Sequence, residues 1–358
     1  MKYDNKFQVV KDYVLKTLSY YLDYPLVKPE RVNIATTFSC PLNCQMCSIP
    51  DNDDVDREEL DIEQWKEIVD QVVDWGIDQI SFSGGETLTK KEKTLELMRY
   101  AHEKGVEIDL MTNGYFLDEE VTKEVLNTGV DRISLSVDGS TRKINDNIRG
   151  DGSFEKILMA IENLNKYRYL RGNIEYEFAT VVLNKNYEDL VNIYEFMKDS
   201  NFDFISYQAL LPDNSFNIDQ SYNDDLWLNP GESRELERIV KKLVELKSET
   251  GDIRNTKKYL KKMPEYFRKK DGFKYGKCMA GYEVIHIDPY GGIDFCGFDS
   301  DIDLSEEMIQ DVWKGPEYKK LRKNAKKCTR PCLLLCYRKL DLEDMLRTHF
   351  EASIADEK

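Results

Sequence analysis

The sequence predicts an α/β fold built on parallel strands, with a small cysteine-rich module at its C-terminal end. Three observations predict it. Six short runs rich in β-branched and aromatic residues alternate with stretches of helical periodicity between residues 32 and 207. A charged, helical stretch follows, and five of the eight cysteines fall after residue 277. Strand-then-helix alternation implies parallel neighbours, because such neighbours need a long crossover and only the right-handed one packs back well. In sheets of this kind chemistry collects at the carboxyl ends of the strands.

Residues 7–22 come first, with apolar side chains at Val10, Val14, Leu15, Leu18 and Leu22 in helical register. A membrane-surface anchor needs a strongly basic face, which Lys11, Asp12 and Lys16 do not supply, so residues 1–28 are expected to be a capping helix on the barrel. The first strand, 32–36, runs into a polar loop, 39–48, that carries Cys40, Cys44 and Cys47. The acidic run Asp51, Asp53, Asp54 and Asp56 reads as a solvated loop, with cation binding as the alternative. Asp61 and Gln64 form a capping-box pattern, and Ile62, Trp65, Ile68, Val69 and Val72 keep helical spacing up to Gly76. Further strands are expected at 79–83, 106–111, 132–137, 174–182 and 202–207, and helices at 91–104, 118–127, 153–167 and 187–198. The core α/β unit is thus expected over 29–228, a helical bridge over 229–270, and the cysteine-rich module over 271–358. In that module 284–287 and 293–295 alternate like a small hairpin around Pro289 to Gly292, which would bring Cys278 and Cys296 together.

Composition narrows the function. With 358 residues, a formal charge of −16 and a pI near 4.9, the chain lacks the basic stripe of nucleic-acid binders, so no nucleic-acid partner is expected. Its apolar runs are too short and charge-broken for a membrane span, and no signal-peptide pattern opens it. Eight cysteines in such a setting point to metal ligation rather than disulfides, and to a reduced, cytoplasmic location.

The spacing of Cys40, Cys44 and Cys47 gathers three thiolates on one loop. Thiolate is the protein ligand of iron-sulfur clusters, and a four-iron cluster normally takes four, so one iron stays open to a non-protein ligand. Zinc sites usually close a tetrahedron with CxxC pairs, and no partner pair lies nearby. The loop resembles the signature of the radical S-adenosylmethionine (radical SAM) superfamily, in which the open iron chelates the amino and carboxylate groups of the cofactor's methionine moiety. Met46 stands where that family commonly has an aromatic residue, and its polarisable side chain suits the adenine edge. The resemblance implies a partial (β/α)6 TIM-like barrel.

The second strand ends in Ser83, Gly84, Gly85 and Glu86. Two glycines allow a sharp turn and close approach, and a carboxylate can accept from an ammonium group. Alone this reads equally as a turn; after a cysteine loop it resembles the superfamily motif that holds the methionine amino group, with Thr87 in place of the usual proline. Asn113, Ser136 and Asp138 end the third and fourth strands, where such residues serve as caps or as ligands to a ribose or carboxylate. Similarity of this stretch to the subgroup with C-terminal SPASM or twitch modules implies that Ser136 and Asp138 lie near the cofactor ribose or the substrate.

Cys278 is followed by twelve residues, Gly291, four residues and Cys296. This resembles the opening of SPASM and twitch modules, which bind auxiliary four-iron clusters. Five thiols suffice for one cluster with one left over, so ligation is expected from Cys278, Cys296 and two of Cys328, Cys332 and Cys336, with Cys332 and Cys336 preferred. A zinc ribbon is the alternative. The spare thiol is a buried structural cysteine, a ligand at a site completed by substrate, or a hydrogen-atom donor; Cys328 is the candidate donor. His102 and His349 read as surface residues, and His286 as a neighbour of the second cluster that tunes its potential or merely packs.

The resemblance implies an enzyme that reductively cleaves S-adenosylmethionine to a 5′-deoxyadenosyl radical and removes hydrogen from an unactivated carbon. An auxiliary cluster would accept an electron or bind the substrate. Cofactors would be S-adenosylmethionine, one 4Fe-4S cluster and at least one auxiliary cluster, served by an electron donor such as flavodoxin or ferredoxin. Only 39 residues precede Cys40, fewer than a separate peptide-recognition domain needs. This leans toward a sugar or aminocyclitol, or a short peptide, with epimerisation or crosslinking as the runner-up. A non-catalytic iron-sulfur or zinc scaffold would leave the glycine turn and the β/α order without purpose.

Overall fold

A computed structural model describes residues 6–52, 57–211, 223–269, 275–293 and 300–334, together with 273, 296 and 298. The expectations for Asp53, Asp54, Asp56, Cys336, His349 and the strand end at 294–295 lie outside these residues. Strands β1 (Arg31–Ala35), β2 (Gln79–Ser83), β3 (Glu107–Thr112), β4 (Arg132–Ser136), β5 (Glu175–Val182), β6 (Phe204–Ala209) and β7 (Val284–Ile287) form one sheet in the order β6-β5-β4-β3-β2-β1-β7. Every pairing is parallel. Burial runs nearly unbroken along β1, β2 and β4, as expected for strands covered on both faces.

Eleven helices are described: α1 (Lys6–Leu22), α2 (Ile62–Asp74), α3 (Lys91–Glu103), α4 (Glu119–Leu126), α5 (Arg142–Arg149), α6 (Ser153–Tyr167), α7 (Leu190–Asp199), α8 (Pro230–Thr250), α9 (Lys257–Arg268), α10 (Ile309–Lys314) and α11 (Pro316–Lys327). The capping box that starts α2 is formed as the sequence suggests, Asp61 Oδ1 accepting from the Gln64 amide and Gln64 Oε1 from the Asp61 amide, both at 2.9 Å. Trp65, Ile68, Val69 and Val72 are its buried face. The short helix α5 was not anticipated; its last residue, Arg149, proves central to the site.

The six expected strands are present, and a seventh joins them. Residues 284–287 do more than form one arm of a hairpin: β7 pairs along β1, Val32 opposite Ile285 and Ile34 opposite Ile287. The hairpin survives as an antiparallel bridge between Ile287 and Ile293. The reason is physical. The apolar side chains of β1 need cover on their open side, and a bare edge strand is a liability. One apolar core accordingly runs from Val32 through Leu333.

The N-terminal helix departs from expectation. Val10, Val14, Leu18 and Leu22 are 40 to 59% exposed, whereas Val9, Lys16 and Ser19 are buried. What holds α1 down is an ion cluster: Lys16 Nζ lies 2.9 Å from Asp12 and 3.3 Å from Glu283 and is hydrogen-bonded to Glu30, so the helix packs on the start of β1 and β7. Removing one partner of a buried cluster leaves charge uncompensated, so Lys16→Met should lower the unfolding free energy by about 3 kcal/mol. Leu18→Ala, on the exposed stripe, should change it by less than about 0.5 kcal/mol. Urea unfolding of the two variants checks both.

Candidate active site

The carboxyl ends of β1 to β7 open into a cavity of about 430 Å³. Cys40, Cys44, Met46 and Cys47 line it from the loop after β1, Ser83, Gly84 and Gly85 from the turn after β2, and Asn113, Ser136, Arg149 and His286 from the other sides.

The glycine turn and the cysteine loop are bonded to each other. The Gly85 amide donates to Thr37 O at 3.0 Å and the Glu86 amide to Ser39 O at 2.9 Å, so the turn fixes the two residues that lead into Cys40. The contact admits no side chain: a Cβ on Gly84 would lie 2.6 Å from Thr37 O, and one on Gly85 would lie 2.3 Å from Ser39 O. Gly84, at φ +116, also needs the freedom only glycine has.

Glu86 does not face the cavity. Its fully buried carboxylate accepts from Thr112 Oγ1 at 2.8 Å, the Asn113 amide at 2.8 Å and the Leu88 amide at 3.2 Å, tying the turn to the end of β3. Burial pushes its carboxyl up, and these donors oppose the shift. Asn113 in turn directs its side-chain amide at Cys40 Sγ, 3.5 Å away.

Asp138 is likewise buried behind the wall rather than in it. It accepts from the Val181 amide at 2.7 Å and pairs with Arg149 Nε at 2.7 Å. Arg149, 7% exposed, is the member of the pair that lines the cavity. It also anchors the cysteine loop, since Cys44 Sγ donates to its carbonyl at 3.9 Å and the Gln45 amide to Ile148 O at 2.9 Å. Burial pushes the Cys40 thiol up to about 11; burial also raises Cys44, with Arg149 pulling the other way. Sequence reasoning gave Arg149 no role. A short basic helix ending in Arg-Gly just after the fourth strand was the available signal.

His286 is also placed differently from expectation. It sits on β7 in the first cavity, Nδ1 3.3 Å from Asn33 Nδ2, and not beside the second group of cysteines. Burial, with Arg31 adding, pushes it down to about 3. The unfolded chain therefore takes up a proton from about pH 6.5 downward that the folded chain refuses. Stability should fall with pH across the window between these values, by up to ~1.4 kcal/mol per unit from this residue. Urea midpoints at two pH values within that window should show this fall in the parent and a shallower one in His286→Asn.

A second cavity of about 210 Å³ is lined by Cys278, Cys296, Cys328 and Cys332. Cys328 lines this cavity and not the first. Leu211 and Leu334 line both cavities and so form a shared wall. Three thiols stand beside an anchored guanidinium in one cavity and, among the described residues, four thiols line the other, a donor set of the kind that holds iron-sulfur clusters, although no group of three or more of these side chains is arranged to hold a single metal ion.

The family model described as "Radical SAM superfamily" matches residues 34–197. AdoMet-dependent heme synthase of Methanosarcina barkeri is 28% identical over 318 residues, 82% of this chain and 85% of that protein. PqqA peptide cyclase of Bradyrhizobium diazoefficiens is 30% identical over 122 residues, 34% of this chain and 32% of that protein. Among solved structures, Streptococcus suis SuiB bound to the precursor peptide SuiA aligns with a TM-score of 0.64 at 17% identity, over 88% of this chain and 71% of that one. Among the described residues no helix is long and apolar enough to cross a membrane.

Proposed function

From the premise that the chain belongs to the radical SAM superfamily, in its subgroup with SPASM or twitch modules, we propose that this enzyme oxidises an aliphatic carbon of a peptide with the help of an auxiliary cluster. The observation that carries the reading is the common wall between the three-thiol and four-thiol cavities. When bound, S-adenosylmethionine and a reduced four-iron cluster supply a 5′-deoxyadenosyl radical that takes hydrogen from the substrate.

Cys40, Cys44 and Cys47 would hold the first cluster, whose three-thiolate ligation would leave room for the cofactor. Arg149, kept in place by Asp138, offers charge-assisted hydrogen bonds to a carboxylate beside Cys44. Gly84 and Gly85 let the backbone come close to the ligand, and Ser136 adds a hydroxyl at the rim. The Asn113 amide tunes the Cys40 sulfur, as hydrogen bonds around metal ligands do. Met46 and Phe38 wall the cavity with apolar surface that excludes water. Cys278, Cys296 and Cys332, with Cys336 or Cys328 as the fourth thiolate, would hold the auxiliary cluster.

The peptide reading is supported by the SuiB–SuiA complex and the peptide cyclase. The heme synthase, matched over most of this chain, favours a non-peptide organic substrate as the second reading. Anaerobically loaded protein with dithionite and S-adenosylmethionine should release 5′-deoxyadenosine; none from fully loaded protein would refute the reaction class. Deuterium moving from labelled peptide into 5′-deoxyadenosine would support the peptide, and solvent deuterium in the product would replace oxidation with epimerisation. Iron content should approach about eight per chain, and about four would remove the auxiliary cluster.

A further inference from the structure

We propose that helix α1 is a dimerisation surface, on which a second copy of this chain lays its own α1 antiparallel about a twofold axis at Val14. Of the twelve large apolar side chains exposed among the described residues, eight fall between residues 7 and 26. Singly exposed apolar residues are ordinary, but a contiguous patch of several hundred Å² marks a binding face. At 100° per residue, Phe7, Val10, Val14, Leu18, Tyr21 and Leu22 lie on the side of α1 opposite the buried Val9, Lys16 and Ser19. Phe7 is 76% exposed and Tyr21 63%. The Tyr21 ring stands edge-on to Tyr20 and its hydroxyl accepts from Lys277 Nζ, so that end of the stripe is ordered before a partner arrives.

What selects a second copy is the spacing. Counted from Val14, the stripe steps four residues to Val10 and to Leu18, and seven to Phe7 and to Tyr21, so it reads the same in both directions. An isologous interface needs this property, because every contact of residue i with residue j recurs as j with i. In the antiparallel pair Val14 meets the second copy's Val14, Val10 meets Leu18, and Phe7 meets Tyr21. The six side chains leave on the order of 600 Å² uncovered, close to the ~800 Å² per partner of a stable interface. From Phe7 to Leu22, Lys11 is the only charged side chain among the exposed residues, so contact strips water from little charge. A lipid surface would need a basic face there instead. Helix α1 packs on the start of β1 and β7, whereas the first cavity opens at their carboxyl ends, so pairing leaves that mouth free.

The test is sedimentation of the full-length, cluster-loaded protein. The parent should run at twice the 41.9 kDa of one chain, and the dimer should tighten as salt rises, since screening weakens repulsion between two copies of charge −16. Val14→Glu sets two carboxylates against each other on the axis and should weaken association by roughly hundredfold or more. Val10→Glu and Leu18→Lys should each pair less tightly than the parent, yet their mixture should recover, because the antiparallel register opposes the two substituted positions. The far-ultraviolet circular dichroism of each variant should match the parent's, which shows that it is folded. A parent of 41.9 kDa at about 100 μM chain would overturn the proposal, because interfaces of this size assemble at micromolar concentration or below. So would a dimer that survives Val14→Glu, or a mixture no tighter than its components. A monomeric parent that binds phosphatidylglycerol vesicles through the stripe, or one that dimerises only when residues 337–358 are deleted, would assign the stripe to lipid or to that segment and overturn the proposal as well.

Discussion

Cys44→Ala is expected to abolish 5′-deoxyadenosine release, with a loss on the order of 10³-fold or more, as for other residues without which the reaction has no route. The expectation follows from position. Cys44 is the middle thiol of the loop, its sulfur lies against the carbonyl of Arg149, and its neighbour Gln45 is bonded to Ile148. Alanine leaves two thiolates, too few to retain a cluster while one iron serves the cofactor. Iron should fall by about half, because the four thiols of the second cavity are untouched, whereas Cys296→Ala should remove the other half. Turnover above a tenth of the parent rate in anaerobically loaded Cys44→Ala would remove the loop from the chemistry.

Gly85→Ala is the second large effect. The new methyl group would meet Ser39 O at 2.3 Å and Phe38 O at 2.4 Å, backbone atoms that cannot swing aside as a side chain tip would. The loop before Cys40 must move, and the hydrogen bonds from Gly85 and Glu86 to Thr37 and Ser39 are lost with it. Overpacking costs roughly 1 to 3 kcal/mol and each lost hydrogen bond about 1, so unfolding should become easier by about 3 kcal/mol or more. The first cluster should fail to load. Gly105→Ala supplies the control: its φ is also positive, at +81, but nothing lies within 4 Å of the added carbon, so about 1 kcal/mol should be lost and no iron. Urea midpoints of the metal-free proteins and iron after reconstitution report the two halves separately.

Much of this architecture was legible in the residues. Alternating apolar runs announced the six strands, and the thiol spacing announced the loop, because both are local patterns. What escaped was decided at long range. The apolar run at 284–287 reads alike as a hairpin arm or a barrel strand, and only the open side of β1 chooses. Helix α1 has an apolar stripe that any helical projection would bury, yet Lys16 meets Glu283, more than 260 positions away, and turns the helix over. Glu86 and Asp138 were recognised as polar groups at strand ends, but whether such a carboxylate touches a ligand or braces a neighbour depends on what packs behind it. Here Thr112 and Arg149 decide, and both carboxylates brace. Which of two adjoining cavities Cys328 enters is likewise decided at long range, and spacing carries no information on that.

The ladder between β1 and β7 sets a rule for exchange of parts. One strand leads into the first thiol loop, and the other lies between two thiols of the second cavity. The strands from which the two groups of thiols spring are therefore set against each other by register and not by a tether. A transplanted C-terminal segment would have to bring an edge strand that pairs in the same alignment. A shift by a single residue would reverse its inward and outward side chains and misplace the transplanted thiols.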